Sequence, residues 1–210
     1  MATRVLLADD HTIVRQAVKL LLEREGFEVV GEAADGHAAV RQARDLQPDV
    51  VVLDLMMPLL NGLDAALEIR QQSPRIPAIL LTSRTDEESV LKALRAGLKA
   101  CVLKSHDVAA LVQAIRQAVR GHVFVDPAIS RTVVAAYRAA TGPVKNPLTP
   151  RERHVLQLIA EGKRTREVAE ILCVSVKTAE SHRANIMNKL DIRETAGLVR
   201  YALRSGLCQL

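Results

Sequence analysis

Val50-Val51-Val52-Leu53-Asp54-Leu55-Met56-Met57-Pro58 places four branched aliphatic residues in a row, ends them on a carboxylate and closes on a proline. A run so short and so uniformly apolar reads as a strand buried on both faces, the habit of parallel sheets. Four more runs of this kind lie on either side: Val5-Leu6-Leu7-Ala8, Phe27-Glu28-Val29-Val30, Ala78-Ile79-Leu80-Leu81 and Ala100-Cys101-Val102-Leu103. Between them come stripes at helical spacing. Val14, Ala17, Val18, Leu21 and Leu22 stop at Gly26, and Leu111, Ile115, Ala118 and Val119 stop at Gly121. Strands that alternate with helices specify an α/β fold with a five-stranded doubly wound parallel sheet.

The rest of the composition agrees. Of 210 residues 49% are hydrophobic but only 2% aromatic, so the core is built from Leu, Val, Ile and Ala, which suits layered helices and parallel strands better than an all-β fold. This length accommodates two small domains. Cys101, Cys173 and Cys208 are isolated, which argues against a zinc ribbon or a disulfide framework and fits a reducing compartment. No run of about 18 apolar residues occurs, so no membrane span is expected. A cytoplasmic protein is the expectation.

Asp126-Pro127 to Ala140 reads as a further helix, and Thr141-Gly142-Pro143 through Asn146-Pro147 is rich in breakers. The charge balance shifts at the same place. Before Lys145, 17 Lys and Arg match 17 Asp and Glu; from Lys145 onward 12 face 7, so the whole net charge of +5 sits in the tail. A neutral first part and a basic second part fit a chain whose second domain approaches a polyanion. The expected boundaries are 1–121 for the α/β domain, 122–145 for a helical linker and 146–210 for a small all-α domain. In the tail, Thr149-Pro150-Arg151-Glu152 is a capping box that opens a helix running to Gly162. Thr165 to Leu172, Val176 to Leu190 capped by Ser175, and Thr195 to Ser205 supply three more.

In an open parallel sheet, ligands bind beyond the carboxyl ends of the strands. The first strand ends at Asp9-Asp10, the third at Asp54, the fourth at Thr82-Ser83 and the fifth at Lys104. Three carboxylates converging on one crevice repel each other at a cost of several kcal/mol unless a divalent cation neutralises them, and hard oxygen donors suit Mg²⁺. A phosphoryl group on Asp54 would complete such a shell. The metal and Lys104 would offset its charge, and the Thr82 hydroxyl could donate to one of its oxygens.

Asp9-Asp10, Leu53 to Pro58 with Asn61-Gly62, Thr82 and Lys104 together resemble the receiver domain of two-component response regulators, which has a flavodoxin-like fold. The resemblance spans about residues 4–120. It implies that Asp54 accepts phosphate from a cognate sensor histidine kinase, that Asp9, Asp10 and Asp54 hold Mg²⁺, and that Thr82 and Lys104 sense the phosphoryl group. His11 reads as a solvated loop residue. One departure stands out: receivers commonly carry Tyr or Phe shortly before the lysine, and here Cys101 and Val102 occupy those places.

Leu148 to Leu207 resembles the LuxR-type helix-turn-helix domain of NarL/FixJ regulators, on Thr149-x-x-Glu152, Ile159-Ala160-Glu161-Gly162, Val168-Ala169, Ser175-Val176-Lys177-Thr178, Ser181-His182 and Lys189-Leu190. Cys173-Val174 make the turn, and the helix capped by Ser175 presents its first turns to double-stranded DNA. By the resemblance Glu180, Ser181 and Ala184 lie in the major groove, while Lys177, Thr178, Arg183 and Lys189 contact the backbone. It also implies a homodimer joined through the last helix, where Leu198, Val199 and Ala202 are the candidate contacts.

The function so implied is a phosphorylation-controlled, DNA-binding transcription regulator. An enzyme such as a magnesium phosphatase would want a second acid two residues after the nucleophile, where this chain has Met56, so the only catalysis expected is loss of phosphate from Asp54, with Met56 and Arg84 flanking the site. The alternative is a phosphorylation-independent regulator that uses the receiver mainly to dimerise.

Overall fold

The computed structural model describes residues 2–82, 93, 98–104, 108–125 and 147–208, which fall into two compact units. In the first, β1 (Arg4–Ala8), β2 (Glu28–Ala33), β3 (Val50–Asp54), β4 (Ala78–Thr82), β5 (Ala100–Leu103) and β6 (Phe124–Val125) form one sheet. Their order is β2-β1-β3-β4-β5-β6 and every pairing is parallel. The five expected strands are present, and the sheet is doubly wound and parallel, as the flavodoxin-like expectation required. A sixth, pairing with Ala100 and Cys101, joins the far edge; two residues carry no periodicity to read.

Strand residues alternate between two covered faces. Val5, Leu7, Val50, Val52, Ile79, Leu81, Ala100 and Val102 share one cluster with Leu22 of α1 (Thr12–Arg24) and with Leu111 and Ile115 of α4 (Val108–Val119). The residues between them, Leu6, Val51, Leu53 and Leu80, are just as buried. Two further helices among the described residues are α2 (Gly36–Leu46), capped by Asp35, and α3 (Gly62–Gln72), capped by Asn61. Each fully buried aliphatic side chain contributes about 1.5–3 kcal/mol, so the sheet is the rigid part of the unit.

Register then fixes what lies at the strand ends. Ala8 pairs with Leu53, Asp54 with Leu81 and Thr82 with Leu103. Asp9, Asp54, Thr82 and Lys104 therefore emerge at one level. The chain reverses its direction of winding at β1, which has β2 on one side and β3 on the other, and this opens a crevice between Asp9-Asp10 and Asp54.

The second unit contains α5 (Pro150–Ala160), α6 (Thr165–Ile171), α7 (Val176–Leu190) and α8 (Thr195–Arg204), each within two residues of its expected bounds. The capping box at Thr149 and Glu152 forms as its spacing demands, at 3.2 Å and 2.7 Å. Ser175 caps α7 by accepting from the Thr178 N–H at 3.1 Å. Between α6 and α7 the backbone turns at Cys173 in the left-handed region, φ 52°, which lets two helices meet across a very short connection. Val155, Leu156, Leu158, Val168, Ala169, Ile186, Leu198 and Ala202 pack inside.

The expected helix over residues 126–140, most of the expected linker, Ser83 and Arg84 lie outside the described residues. Among the described residues no helix is long and apolar enough to cross a membrane.

Candidate functional site

At the strand ends the ion pairs form a chain. Lys104 Nζ lies 2.7 Å from Asp9 Oδ2 and 3.0 Å from Asp54 Oδ2. Asp9 and Asp54 are almost wholly buried, as is Thr82 between them and Lys104 in register. Burial pushes the Asp54 carboxyl above its ordinary range, and the Lys104 ammonium only partly counters this. Burial would depress Lys104, yet the hydrogen bond to Asp9 and the charge of Asp54 prevail and raise it. The ammonium is thereby kept charged between two carboxylates.

Asp10 completes the group from the rim. Its Oδ1 is buried and accepts no hydrogen bond of acceptable geometry, although His11 Nδ1 stands 2.7 Å away. Asp9, Asp10, His11 and Asp54 offer ligand atoms all within 4.8 Å of one another, a set able to hold a metal ion. An orphaned carboxylate oxygen beside two buried carboxylates is what an oxygen-seeking divalent cation would satisfy, so the residues fit such an ion. His11, read from the sequence as a solvated loop residue, belongs to this cluster; only its position directly after two acids hinted at that.

The loop after β3 is shaped around Asp54. Gly62 donates to the Leu55 carbonyl at 2.9 Å, and a Cβ at Gly62 would sit against the Asp54 carbonyl, only 2.8 Å from its carbon. Close approach of two backbones, not an unusual φ, is what demands glycine here. Asn61 caps α3 at 2.9 Å from the Asp64 N–H, and the Met56 backbone hydrogen-bonds the Asp54 carboxylate.

In the helical unit, Lys177, Thr178, Glu180, Ser181 and Ala184 lie exposed along α7. Asn185 and Asn188 are also exposed on the same helix, and an Asn amide is suited to a base edge. Two expected backbone contacts are engaged inside the unit. Arg183 donates to the Thr195 hydroxyl at 2.5 Å, and Lys189 donates to the buried Glu152 carboxylate at 2.7 Å.

That last pair has a measurable consequence. Burial of Glu152 would raise its pKa, but hydrogen bonds from Lys189 and from the Thr149 backbone outweigh this and hold it below its ordinary 4.5. A depressed folded-state pKa contributes stability above the unfolded value and loses it as pH falls through the folded one. Acidification below about pH 4.5 is therefore expected to weaken the helical unit. In Glu152→Gln the unfolding free energy should change less steeply over that window, and an unchanged slope in urea titrations would contradict the assignment.

The expected dimer contacts need correction. Leu198 and Ala202 are completely buried and belong to the unit's own core, so they are not free to meet a second copy. The apolar face of α8 turns inward because α5 covers it, and of the three only Val199 is partly exposed.

Residues 5–116 match the family described as response regulator receiver domain, and residues 146–202 match bacterial regulatory proteins, luxR family. Oxygen regulatory protein NreC of Staphylococcus carnosus is 37% identical over 97% of this chain and 98% of its own. RcsB of Salmonella enterica serovar Typhimurium, bound to a promoter in the presence of phosphomimetic BeF₃⁻, is similar with TM-score 0.64 and 28% identity over 96% of this chain and 98% of its own. A structure of two RcsB dimers bound to two parallel DNAs gives TM-score 0.60 and 30% identity over 98% and 99%.

Proposed function

This chain belongs to the NarL/FixJ family of response regulators, a receiver followed by a LuxR-type helix-turn-helix unit, and from that premise we propose that a phosphoryl group on Asp54 controls how the helical unit engages DNA. It is a DNA-binding transcriptional response regulator of a two-component system, with a sensor histidine kinase as partner. The domain limits we assign are 1–121, 122–145 and 146–210. The cytoplasm is the assigned compartment, and loss of phosphate from Asp54 the only catalysis.

The observation that carries the reading is the Asp9–Lys104–Asp54 ion-pair chain at the level where four strand ends meet. An Asp54 carboxylate oxygen would attack phosphorus in the phosphohistidine of the kinase; a new O–P bond forms, the N–P bond breaks and the imidazole leaves with its electron pair. Mg²⁺, held by Asp9, Asp10 and Asp54, would supply Lewis-acid neutralisation of the developing charge. Lys104 keeps Asp54 oriented beforehand and is placed to pair with the phosphoryl oxygens afterwards. Thr82, one strand away, is placed to donate its hydroxyl to one of them. The modified state is favoured only to the extent that the phosphoryl group binds it better than the other.

On DNA, Lys177 and Thr178 at the start of α7 suit phosphate contacts, and Glu180, Ser181 and Ala184 suit base edges in the major groove. Arg183 and Lys189 are assigned to the frame of the unit, with phosphate contact secondary. Dimerisation is assigned to the exposed side of α8, where Val199 is accompanied by Ala196 and Leu203. The RcsB dimers on DNA support a dimeric partner as such.

Binding of the phosphorylated chain to duplexes selected from a random pool tests the reading. Lys177→Ala should weaken all sequences alike and lower the salt slope by about one, whereas Glu180→Ala should lose about 1–3 kcal/mol of discrimination at one base pair. Equal selection and affinity with and without phosphate would favour the phosphorylation-independent reading, for which the small buried Cys101 and Val102 in place of an aromatic are the specific support.

A further inference from the structure

Asp9 is held by every polar atom it has. Its N–H donates to the Ala33 carbonyl at 3.1 Å, its Oδ1 accepts from the His11 N–H at 2.9 Å, and its Oδ2 accepts from Lys104 at 2.7 Å. The fourth atom, its carbonyl oxygen, accepts from Arg15 Nη1 at 2.6 Å. The turn that follows, from Asp9 to Asp10, is the one that must aim two carboxylates into the crevice. Arg15 stands one helical turn into α1 and its side chain is 13% exposed, so its guanidinium is held in the fold and not drifting in solvent.

What holds Arg15 is Glu32, near the end of β2. One Glu32 oxygen accepts from Arg15 Nε at 3.3 Å and from Gln16 Nε2 at 2.7 Å, and the other accepts from Lys19 Nζ at 2.8 Å. The hydrogen bond from Lys19, aided by Arg15, holds the Glu32 carboxyl below its ordinary range, so it stays ionised. Of the three α1 side chains on Glu32, only Arg15 also touches the acidic turn. Register explains the reach: Glu32 pairs with Leu7, two residues before Asp9.

We propose that Arg15, clamped by Glu32, is a positioning residue that fixes the Asp9–Asp10 turn in the conformation that receives a divalent cation. The inference rests on the metal-binding reading given above. It also runs against simple electrostatics. A positive charge this close to a cation site disfavours the cation, so deleting it for its charge alone would tighten binding. Deleting it as a support loosens binding, because partners that orient metal ligands typically matter by 10–100-fold in affinity. The sign of the effect separates the two.

The experiment titrates the full-length protein with Mn²⁺, reading free Mn²⁺ by electron paramagnetic resonance, alongside thermal unfolding in EDTA. Arg15→Met should weaken Mn²⁺ binding by about tenfold or more. Arg15→Lys, which keeps the charge but not the fork, should weaken it by less. Lys19→Met removes another arm of the same Glu32 network without touching Asp9 and should leave affinity within about twofold, by the same principle. Unchanged or tighter binding in Arg15→Met, or an equal loss in Lys19→Met, would overturn the proposal. Failure of the unmodified protein to bind Mn²⁺ would overturn the metal reading itself, and the role of Arg15 with it, and is recognisable because every variant would then be silent.

Discussion

Asp54→Asn is expected to abolish the single phosphoryl adduct that the unmodified protein acquires from acetyl phosphate and Mg²⁺, read by intact mass. An amide oxygen is too poor a nucleophile to replace a carboxylate, and the other carboxylates are poorly placed: both Asp9 oxygens are tied by hydrogen bonds, to the His11 N–H and to Lys104, and Asp10 stands at the rim. The same variant should unfold at a higher temperature without metal. Burial raises the Asp54 pKa, so folding favours its protonated form, and the stability this confers is lost as pH rises through the folded value. At neutral pH the buried charge is therefore a cost, which the neutral isostere removes, while Lys104 keeps Asp9 as a partner. A persistent adduct in Asp54→Asn would mean that another residue accepts the phosphoryl group; a lower unfolding temperature would mean that the Lys104 ion pair outweighs desolvation.

Gly62→Ala is expected to damage fold and chemistry together. The added methyl meets the Asp54 carbonyl and lies 3.1 Å from the Leu55 Cα, and neither can rotate away as a side chain would. Backbone must move, at a cost of about 1–3 kcal/mol, and the backbone that moves carries the phosphoacceptor. Thermal unfolding should fall by several degrees, and the rate of labelling by acetyl phosphate should fall with it. Normal labelling with a lowered unfolding temperature would show that the loop absorbs the displacement without moving Asp54.

Much of this was legible in the sequence because the relevant signals are local. Four apolar residues ending on Asp54, and a threonine and a glutamate three apart at Thr149 and Glu152, specify a strand and a helix start with little help from the rest of the chain. Convergence of Asp9, Asp54, Thr82 and Lys104 was legible because parallel register brings strand ends together. What escaped were relations between surfaces. Leu198 and Ala202 are apolar residues on an amphipathic helix, and periodicity alone cannot say whether a neighbouring helix or a second molecule covers them. Lys189 and Arg183 look like free cations until Glu152 and Thr195 are found opposite them. Arg15 gave no signal because its partner at the crevice is a main-chain oxygen, which every residue possesses, and the Glu32 that clamps it lies on another element.

The four strands that deliver the site are β1, β3, β4 and β5, and the two at the sheet's margins, β2 and β6, deliver none of its acidic or cationic groups. Margins open first in the native ensemble, while central strands separate only when the domain unfolds as a whole. Opening of the β2 edge would release Glu32 and its hold on Arg15, so the acidic turn loosens while Asp54, Thr82 and Lys104 keep their places on the inner strands. The cation-holding half of the crevice is thus expected to come apart before the half that carries the phosphoacceptor.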